Sequence, residues 1–216
     1  MATPLLVIGN KVYSSWSLRP WVFLKHHAIA FEERRVSLYQ GDYKRQLLSY
    51  TPAGKVPAYI DGNLRIWDSL AILEFLAEKH PHVQGWPREA EARALARAVS
   101  AEVHSGFAAL RQALPMNLRR ALKRPWDDEV RADIARVTEV WEDCRKRARA
   151  QGEFLFGAFG IADAMSAPVA FRFQTYEVGL PPAARRYCDA MLALPAMRSW
   201  LEDARREAET IARYEQ

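Results

Sequence analysis

Only two cysteines occur in the 216 residues, Cys144 and Cys188, and they form no close pair. A disulfide framework or a thiolate zinc site is therefore not expected. The opening MATPLLVIGNK has no basic stretch followed by a long apolar run, so no signal peptide is expected. No apolar run approaches the ~18 residues of a membrane span. A Gly-rich phosphate loop and a Gly-x-Ser-x-Gly elbow are both missing, which removes two common signatures of nucleotide binding and serine hydrolysis. The histidines, His26, His27, His80, His82 and His104, lack the i, i+4 spacing of a helical metal site, and no metal is expected. These absences predict a cytoplasmic chain that meets no membrane.

Charge of one sign is also never concentrated. The formal net charge of +5 would suit an anionic partner, but the arginines after Arg88 alternate with acids, as in REAEARALARA and EDARREAE. That pattern predicts solvated helix faces and no nucleic-acid partner.

What the chain does have is a change of period. Leu5–Ile8 reads as a buried strand, and Trp21–His27 as a helix with Trp21, Leu24 and Ala28 on one face. Phe31–Tyr39 offers a second strand. PAYIDGNLRIW is a hairpin signature around Asp61-Gly62-Asn63. Asp68 then opens DSLAILEFLAEKH, with Leu70, Leu73, Leu76 and Ala77 as an apolar stripe. HPHVQGWP, residues 81–87 with His80 before them, is a proline-broken linker. Everything beyond reads helical: Arg88–Lys123 with a kink at Pro115, Asp127–Ala150, Ile161–Val178, Pro182–Leu194 and Pro195–Arg213. The predicted architecture is an α/β domain at 1–80, a linker at 81–87, and an all-helical domain at 88–216.

Three stretches carry candidate chemistry. YSSWSLRPW, Tyr13–Trp21, sets hydroxyls at Ser14, Ser15 and Ser17 where the first strand gives way to a helix. Such a junction suits helix capping, and equally a negatively charged atom. GKVPAYI places Val56-Pro57 after a β-α-β unit and before the hairpin, the order of a thioredoxin-like fold. The Cys-x-x-Cys position of the redox members of that fold reads Ser-Ser-Trp-Ser here, so dithiol exchange is excluded. WDSLAIL offers Asp68 as an N-cap with Ser69 beside it, fit either for capping alone or for the charged ends of an amino acid.

In this order and spacing, SSWSLR, TPAGKVPAYIDG, WDSLAILEFL and GIADAMSAP resemble the glutathione transferase superfamily over nearly the whole chain. The resemblance implies a thioredoxin-like domain followed by an all-helical one, and glutathione as co-substrate. It implies that Lys55 and Val56, with a cis Pro57, hold the peptide backbone, that Asp68 and Ser69 hold its γ-glutamyl end, and that the first-helix serines face its sulfur. Ser14 or Ser15 would donate to the thiolate, with Tyr13 as a competing donor. Ser17 is expected to cap the helix and Pro20 to lie in its first turn. The electrophile pocket is expected between the domains, near Tyr13, Trp16, Asn117 and Arg172. The class that looks closest is zeta, whose Ser-Ser-Cys-Ser motif is matched except that Trp16 replaces the cysteine. Gly160 departs from the usual Ser or Thr, leaving Asp163 to cap its helix alone. The resemblance thus implies a detoxifying glutathione transferase acting on a small electrophile. The alternatives are a maleylacetoacetate-type cis–trans isomerase and a non-catalytic ligand-binding protein of the same fold. It also implies a homodimer, for which Leu95, Val99, Val103 and Leu110, flanked by Ala92, Ala96 and Ala98, offer a stripe.

Overall fold

The computed structural model describes residues 3–122, 125–147 and 152–215. Four short strands form one mixed sheet in the order β2-β1-β3-β4: β1 (Leu5–Ile8), β2 (Glu32–Arg35), β3 (Ala58–Asp61) and β4 (Leu64–Trp67). β2 runs parallel to β1, while β3 is antiparallel to both β1 and β4. The alternation of the strands sorts their side chains by face. Leu6, Ile8 and Tyr59 enter the main core, whereas Val7 and Ala58 join Val36 and Leu47 in a small cluster on the other face. The hairpin forms around Gly62, whose φ of +59° suits a residue without Cβ. All four residues of β2, Glu-Glu-Arg-Arg, are exposed; charge on an edge strand discourages pairing with another chain.

Helix α1 (Ser15–His26) links β1 to β2, α2 (Tyr43–Tyr50) follows β2, and α3 (Ser69–Lys79) follows the hairpin. Helices alone then follow: α4 (Ala90–Ser105), α5 (Ala108–Ala113), α6 (Asp128–Arg147), α7 (Ile161–Thr175), α8 (Pro182–Ala193) and α9 (Pro195–Arg206). Several boundaries differ from expectation: α1 starts at Ser15 rather than Trp21, β2 stops at Arg35 rather than Tyr39 and α7 at Thr175 rather than Val178, and two helical ends differ more. The first long helix does not continue to a kink at Pro115. It breaks at Gly106-Phe107, where Phe107 takes a left-handed φ of +58°, and α5 stops at Ala113, before the proline. Its expected end at Lys123, like the expected end of α6 at Ala150, lies outside the described residues. The last helix stops at Arg206 rather than Arg213; the chain then runs on irregularly to a 3-10 turn, Ala212–Tyr214.

α7 is the axis of the molecule. Every residue from Ile161 to Phe173 is buried, as expected for a helix apolar on all sides. Asp163 caps its start: its carboxylate accepts the N–H of Leu155 at 3.0 Å, the N–H of Gly160 at 2.9 Å and the Tyr187 hydroxyl at 3.0 Å. α7 packs on α1 and α4, so the two halves meet along α1. Trp21 and Trp200, with ring centroids 5.0 Å apart, seal that seam beside the buried ammonium of Lys11. Lys11 pairs with Glu33 at 2.9 Å and Asp203 at 2.7 Å, so a buried cation is compensated from both halves.

Candidate active site

The site begins at the N-terminus of α1. After β1, a tight turn closes when the N–H groups of Tyr13 and Ser14 both donate to the Asn10 carbonyl, at 3.1 and 2.8 Å. Ser14 is the N-cap position and Ser15 the first helical residue. Ser17 does not cap the helix. It is fully buried, accepts the Gly9 N–H at 3.1 Å and the Ser14 hydroxyl at 2.7 Å, and so ties α1 to the end of β1. Pro20 is not in the first turn either: it is the sixth residue of α1, buried inside it, where it removes the N–H that would reach Trp16.

A cleft of about 480 Å³ opens above this turn. Its walls bring together Tyr13, Ser14, Ser15 and Trp16 with Lys55 and Val56 of the loop before β3, and with Arg111 and Arg172 of the helical half. The Val56–Pro57 peptide is cis. Asp68 and Ser69 are not among its lining residues; they sit at the start of α3. Asp68 holds a left-handed φ of +76°, rare outside glycine. Its Oδ1 caps α3 through the N–H groups of Leu70 at 2.9 Å and Ala71 at 3.3 Å, which leaves Oδ2 facing His104 Nε2 at 3.3 Å. Ser69 is fully buried, and its hydroxyl accepts from Arg19 at 3.2 Å. That bond turns the Ser69 proton away from Arg19 and frees it for an acceptor.

The electrostatics are one-sided. Arg19 is 3% exposed and lies 4.2 Å from the Trp16 ring, with Arg111 5.0 Å from the same ring. Arg172, 7% exposed, donates to the Leu114 carbonyl at 2.9 Å and to Ser15 Oγ at 3.3 Å. Arg19, Arg111 and Arg172 all lack a carboxylate within ion-pair distance among the described residues. Burial, and then mutual repulsion, push the Arg172 guanidinium down to about 10 and Arg19 well below its ordinary value. Arg172 still carries its charge at neutral pH. A buried cation held only by neutral acceptors is costly, so this cluster favours an anion entering the cleft.

Two expected pocket residues have other work. Asn117 is fully buried and donates to the Tyr214 carbonyl at 3.0 Å and to Glu215 at 3.1 Å. Tyr13 lines the cleft but donates its hydroxyl to Glu215; burial first, and that bond second, push its phenol up to about 12. The hydroxyl is thereby spent. Ser14 donates to Ser17, whereas Ser15 only accepts, so its own proton has no acceptor among the described residues.

Arg111, His104, Tyr214 and Glu215 were not anticipated as parts of the site. Arg19 had a legible signal: a lone cation within the apolar run SWSLRPWVFL. The others arrive from distant elements, and no local pattern marks them. Among the described residues, no group of three His, Cys, Asp or Glu side chains is arranged to hold a metal ion, and no helix is long and apolar enough to cross a membrane.

Comparison with known proteins gives a consistent result. Residues 13–79 match the family "Glutathione S-transferase, N-terminal domain". The chain is 36% identical over 104 residues to a "Probable maleylacetoacetate isomerase" of Caenorhabditis elegans, covering 48% of each. It is 33% identical over 102 residues to "Glutathione S-transferase Z1" of Arabidopsis thaliana, covering 45% of this chain and 46% of the relative. The chain thus spans about half the length of the curated relatives it matches. Among solved structures, a glutathione transferase homolog from Burkholderia gl BGR1 with bound glutathione superposes with a TM-score of 0.70 at 24% identity, covering 96% of this chain and 100% of that one. Glutathione transferase Omega 3C from Trametes versicolor superposes with a TM-score of 0.71 at 19% identity, covering 99% and 91%.

Proposed function

Because residues 13–79 belong to the glutathione S-transferase N-terminal domain family and the whole chain has the glutathione transferase fold, we propose that the protein is a glutathione transferase that joins the glutathione sulfur to a small electrophile. The observation that carries this reading is the cleft itself, where a serine-bearing helix start meets guanidiniums with no carboxylate in ion-pair contact among the described residues. Glutathione brings two carboxylates and a thiol, the charges this cleft lacks.

In this reading Lys55 and Val56, ahead of Pro57, hold the peptide backbone. Asp68 takes the γ-glutamyl ammonium, and Ser69, oriented by Arg19, takes its carboxylate. Ser15 donates to the sulfur, while Ser14, bonded to Ser17, holds the turn beside it. A free thiol titrates near ~8.5, and lowering it by about two units needs roughly 2.7 kcal/mol. A hydrogen bond to a charged group supplies about 1.5–3 kcal/mol, and the helix start adds ~0.3–1 kcal/mol. Arg172, touching Ser15, strengthens the same hydroxyl as a donor. The thiol proton leaves to solvent, the sulfur bonds to the electrophilic carbon, and the leaving group departs. Tyr13, Trp16, Met116 and Arg172 border the space left for that electrophile.

Calorimetry with glutathione tests the reading. Wild type is expected to bind, and Asp68→Ala and Ser69→Ala each to weaken binding about tenfold, or about 1.4 kcal/mol. Unchanged affinity in both variants would remove the γ-glutamyl site. The isomerase reading rests on the worm relative's name, and Trp16 weakens it by filling the cysteine position. Turnover of a maleyl-type acid against a chloronitrobenzene-type acceptor separates the two.

A cytoplasmic, detoxifying homodimer is the setting this reading implies. Val99, Val103 and Leu110 of the expected stripe are buried within the chain, so β4 offers the better surface: Leu64 and Trp67 are 47% and 46% exposed. Sedimentation in moderate salt should show twice the 24.7 kDa chain mass, and a single-chain species throughout would refute the dimer.

A further inference from the structure

His104 reaches from α4 to the start of α3, so one side chain of the helical half meets the charged corner of the sheet half. Its Nε2 lies 3.3 Å from Asp68 Oδ2, and the Asp68 side chain is 42% exposed, open to a ligand. Its Nδ1 is buried with no hydrogen-bond partner among the described residues. A proton on Nδ1 would be a buried donor without an acceptor. The neutral ring therefore keeps its one proton on Nε2 and donates it to Asp68.

The ring is braced from the side. Trp16 meets it edge-on, with centroids 5.2 Å apart and planes at 80°. The same indole carries Arg19 at 4.2 Å and Arg111 at 5.0 Å. Arg111 also donates to the His104 carbonyl at 3.1 Å. The charged groups that act on His104 are thus Asp68 from the cap of α3, Arg19 from α1 and Arg111 from α5. Burial lowers the pKa of the imidazole most. Asp68 opposes that and the two guanidiniums add to it, so the ring is neutral at pH 7. The two charge states act on Asp68 in opposite ways. Neutral His104 supplies one N–H, which orients Oδ2 and leaves the carboxylate its full negative charge. Protonated His104 sets a competing positive charge against the same oxygen.

We propose that His104 is a positioning residue for the γ-glutamyl end of glutathione: neutral, it holds Asp68 ready for the ammonium, and protonated, it competes with that ammonium, so binding weakens in acid. The proposal rests on the glutathione reading of the cleft and adds the residue that presents Asp68. It also gives the Trp16 indole a task, since that ring braces His104.

Calorimetry with S-methylglutathione tests this, because the thioether has no thiol to titrate while the ammonium and carboxylates stay charged between pH 7 and pH 5. At pH 7, His104→Leu is expected to weaken binding about fivefold, and His104→Gln, whose amide N–H reaches the place of Nε2, to recover most of that loss. From pH 7 to pH 5 the wild-type Kd is expected to rise about threefold, and that of His104→Gln to stay level. His104 is partly exposed, so both variants are expected to fold, which thermal midpoints at pH 7 check. Equal affinity of His104→Leu and wild type at pH 7 overturns the positioning role. No acid rise in wild type, or an equal rise in His104→Gln, overturns the competition. Failure of wild type to bind S-methylglutathione at pH 7 overturns the glutathione reading itself, and the proposal with it.

Discussion

The two ends of α1 meet the same problem and solve it in opposite ways. At the C-terminal end His27 packs its ring 4.5 Å from Phe23 and 4.9 Å from His26, with its Nε2 buried and unpartnered. Burial, then the neighbouring His26 and His82, push its imidazole down to about 4, so it sheds its proton and sits neutral. At the N-terminal end Arg19 is buried with its Nε unpartnered, and Arg172 with no carboxylate near. A guanidinium does not deprotonate at neutral pH, so the charge stays. One end of the helix is therefore electrically settled, while the other holds guanidinium charge that hydrogen bonds to Ser69 and Val103 and the more distant Asp68 offset only in part, and that an incoming anion would satisfy. That difference marks the functional end.

Replacing the unsettled charge gives the largest effect. Arg19→Met is expected to weaken glutathione binding about tenfold, because Ser69 loses the bond that orients it. The thermal midpoint should stay within a few degrees or rise, since an apolar side chain suits a buried site better than an uncompensated cation. Calorimetry and thermal unfolding read the two quantities separately. A large fall in midpoint with full affinity would erase the contrast between the two ends.

The settled end predicts a smaller effect, visible only in acid. The imidazole of the unfolded chain titrates near 6.5 and that of folded His27 near 4, so the unfolded state takes up the proton first. The stability tied to His27 is therefore complete above pH 6.5 and lost as pH falls from there toward 4. His27 is half-buried, so solvent screening reduces the loss to about 1 kcal/mol. His27→Gln should flatten that part of the pH dependence in urea unfolding at pH 7.5 and pH 5. An equal acid loss in wild type and variant would show that this end is not settled by deprotonation.

The smallest expected change sharpens the comparison at the cleft. Burial and Glu215 hold the Tyr13 phenol near 12. Glu215→Gln should bring it toward its ordinary 10 in an ultraviolet titration, read against Tyr13→Phe. No change would mean that the Tyr13 hydroxyl is not spent on Glu215.

Local chemistry was legible where it rests on short-range pattern. Leu5–Ile8, the Asp61-Gly62-Asn63 hairpin and the Asp68 cap on α3 all appear where alternation, turn residues and capping place them. The break at Gly106-Phe107 was not legible, because Pro115 was the stronger local signal and the left-handed Phe107 depends on tertiary packing. Ser14, Ser15, Lys55 and Val56 do line one cleft. What the sequence hid was the direction of each hydrogen bond. Ser17 looks like a cap but serves Gly9, Tyr13 looks like a free donor but serves Glu215, and Asn117 looks like a pocket residue but holds Tyr214 and Glu215. Each of these depends on a partner that only folding brings near.

The most direct test of the central claim is the ultraviolet titration of the thiol of bound glutathione in wild type, Ser14→Ala, Ser15→Ala and Tyr13→Phe. In wild type the bound thiol is expected to titrate about two units below the free value of ~8.5. Ser15→Ala should return it most of the way, Ser14→Ala part of the way, and Tyr13→Phe should leave it in place. A bound thiol that titrates like the free one, or one that responds to Tyr13→Phe alone, would contradict the account.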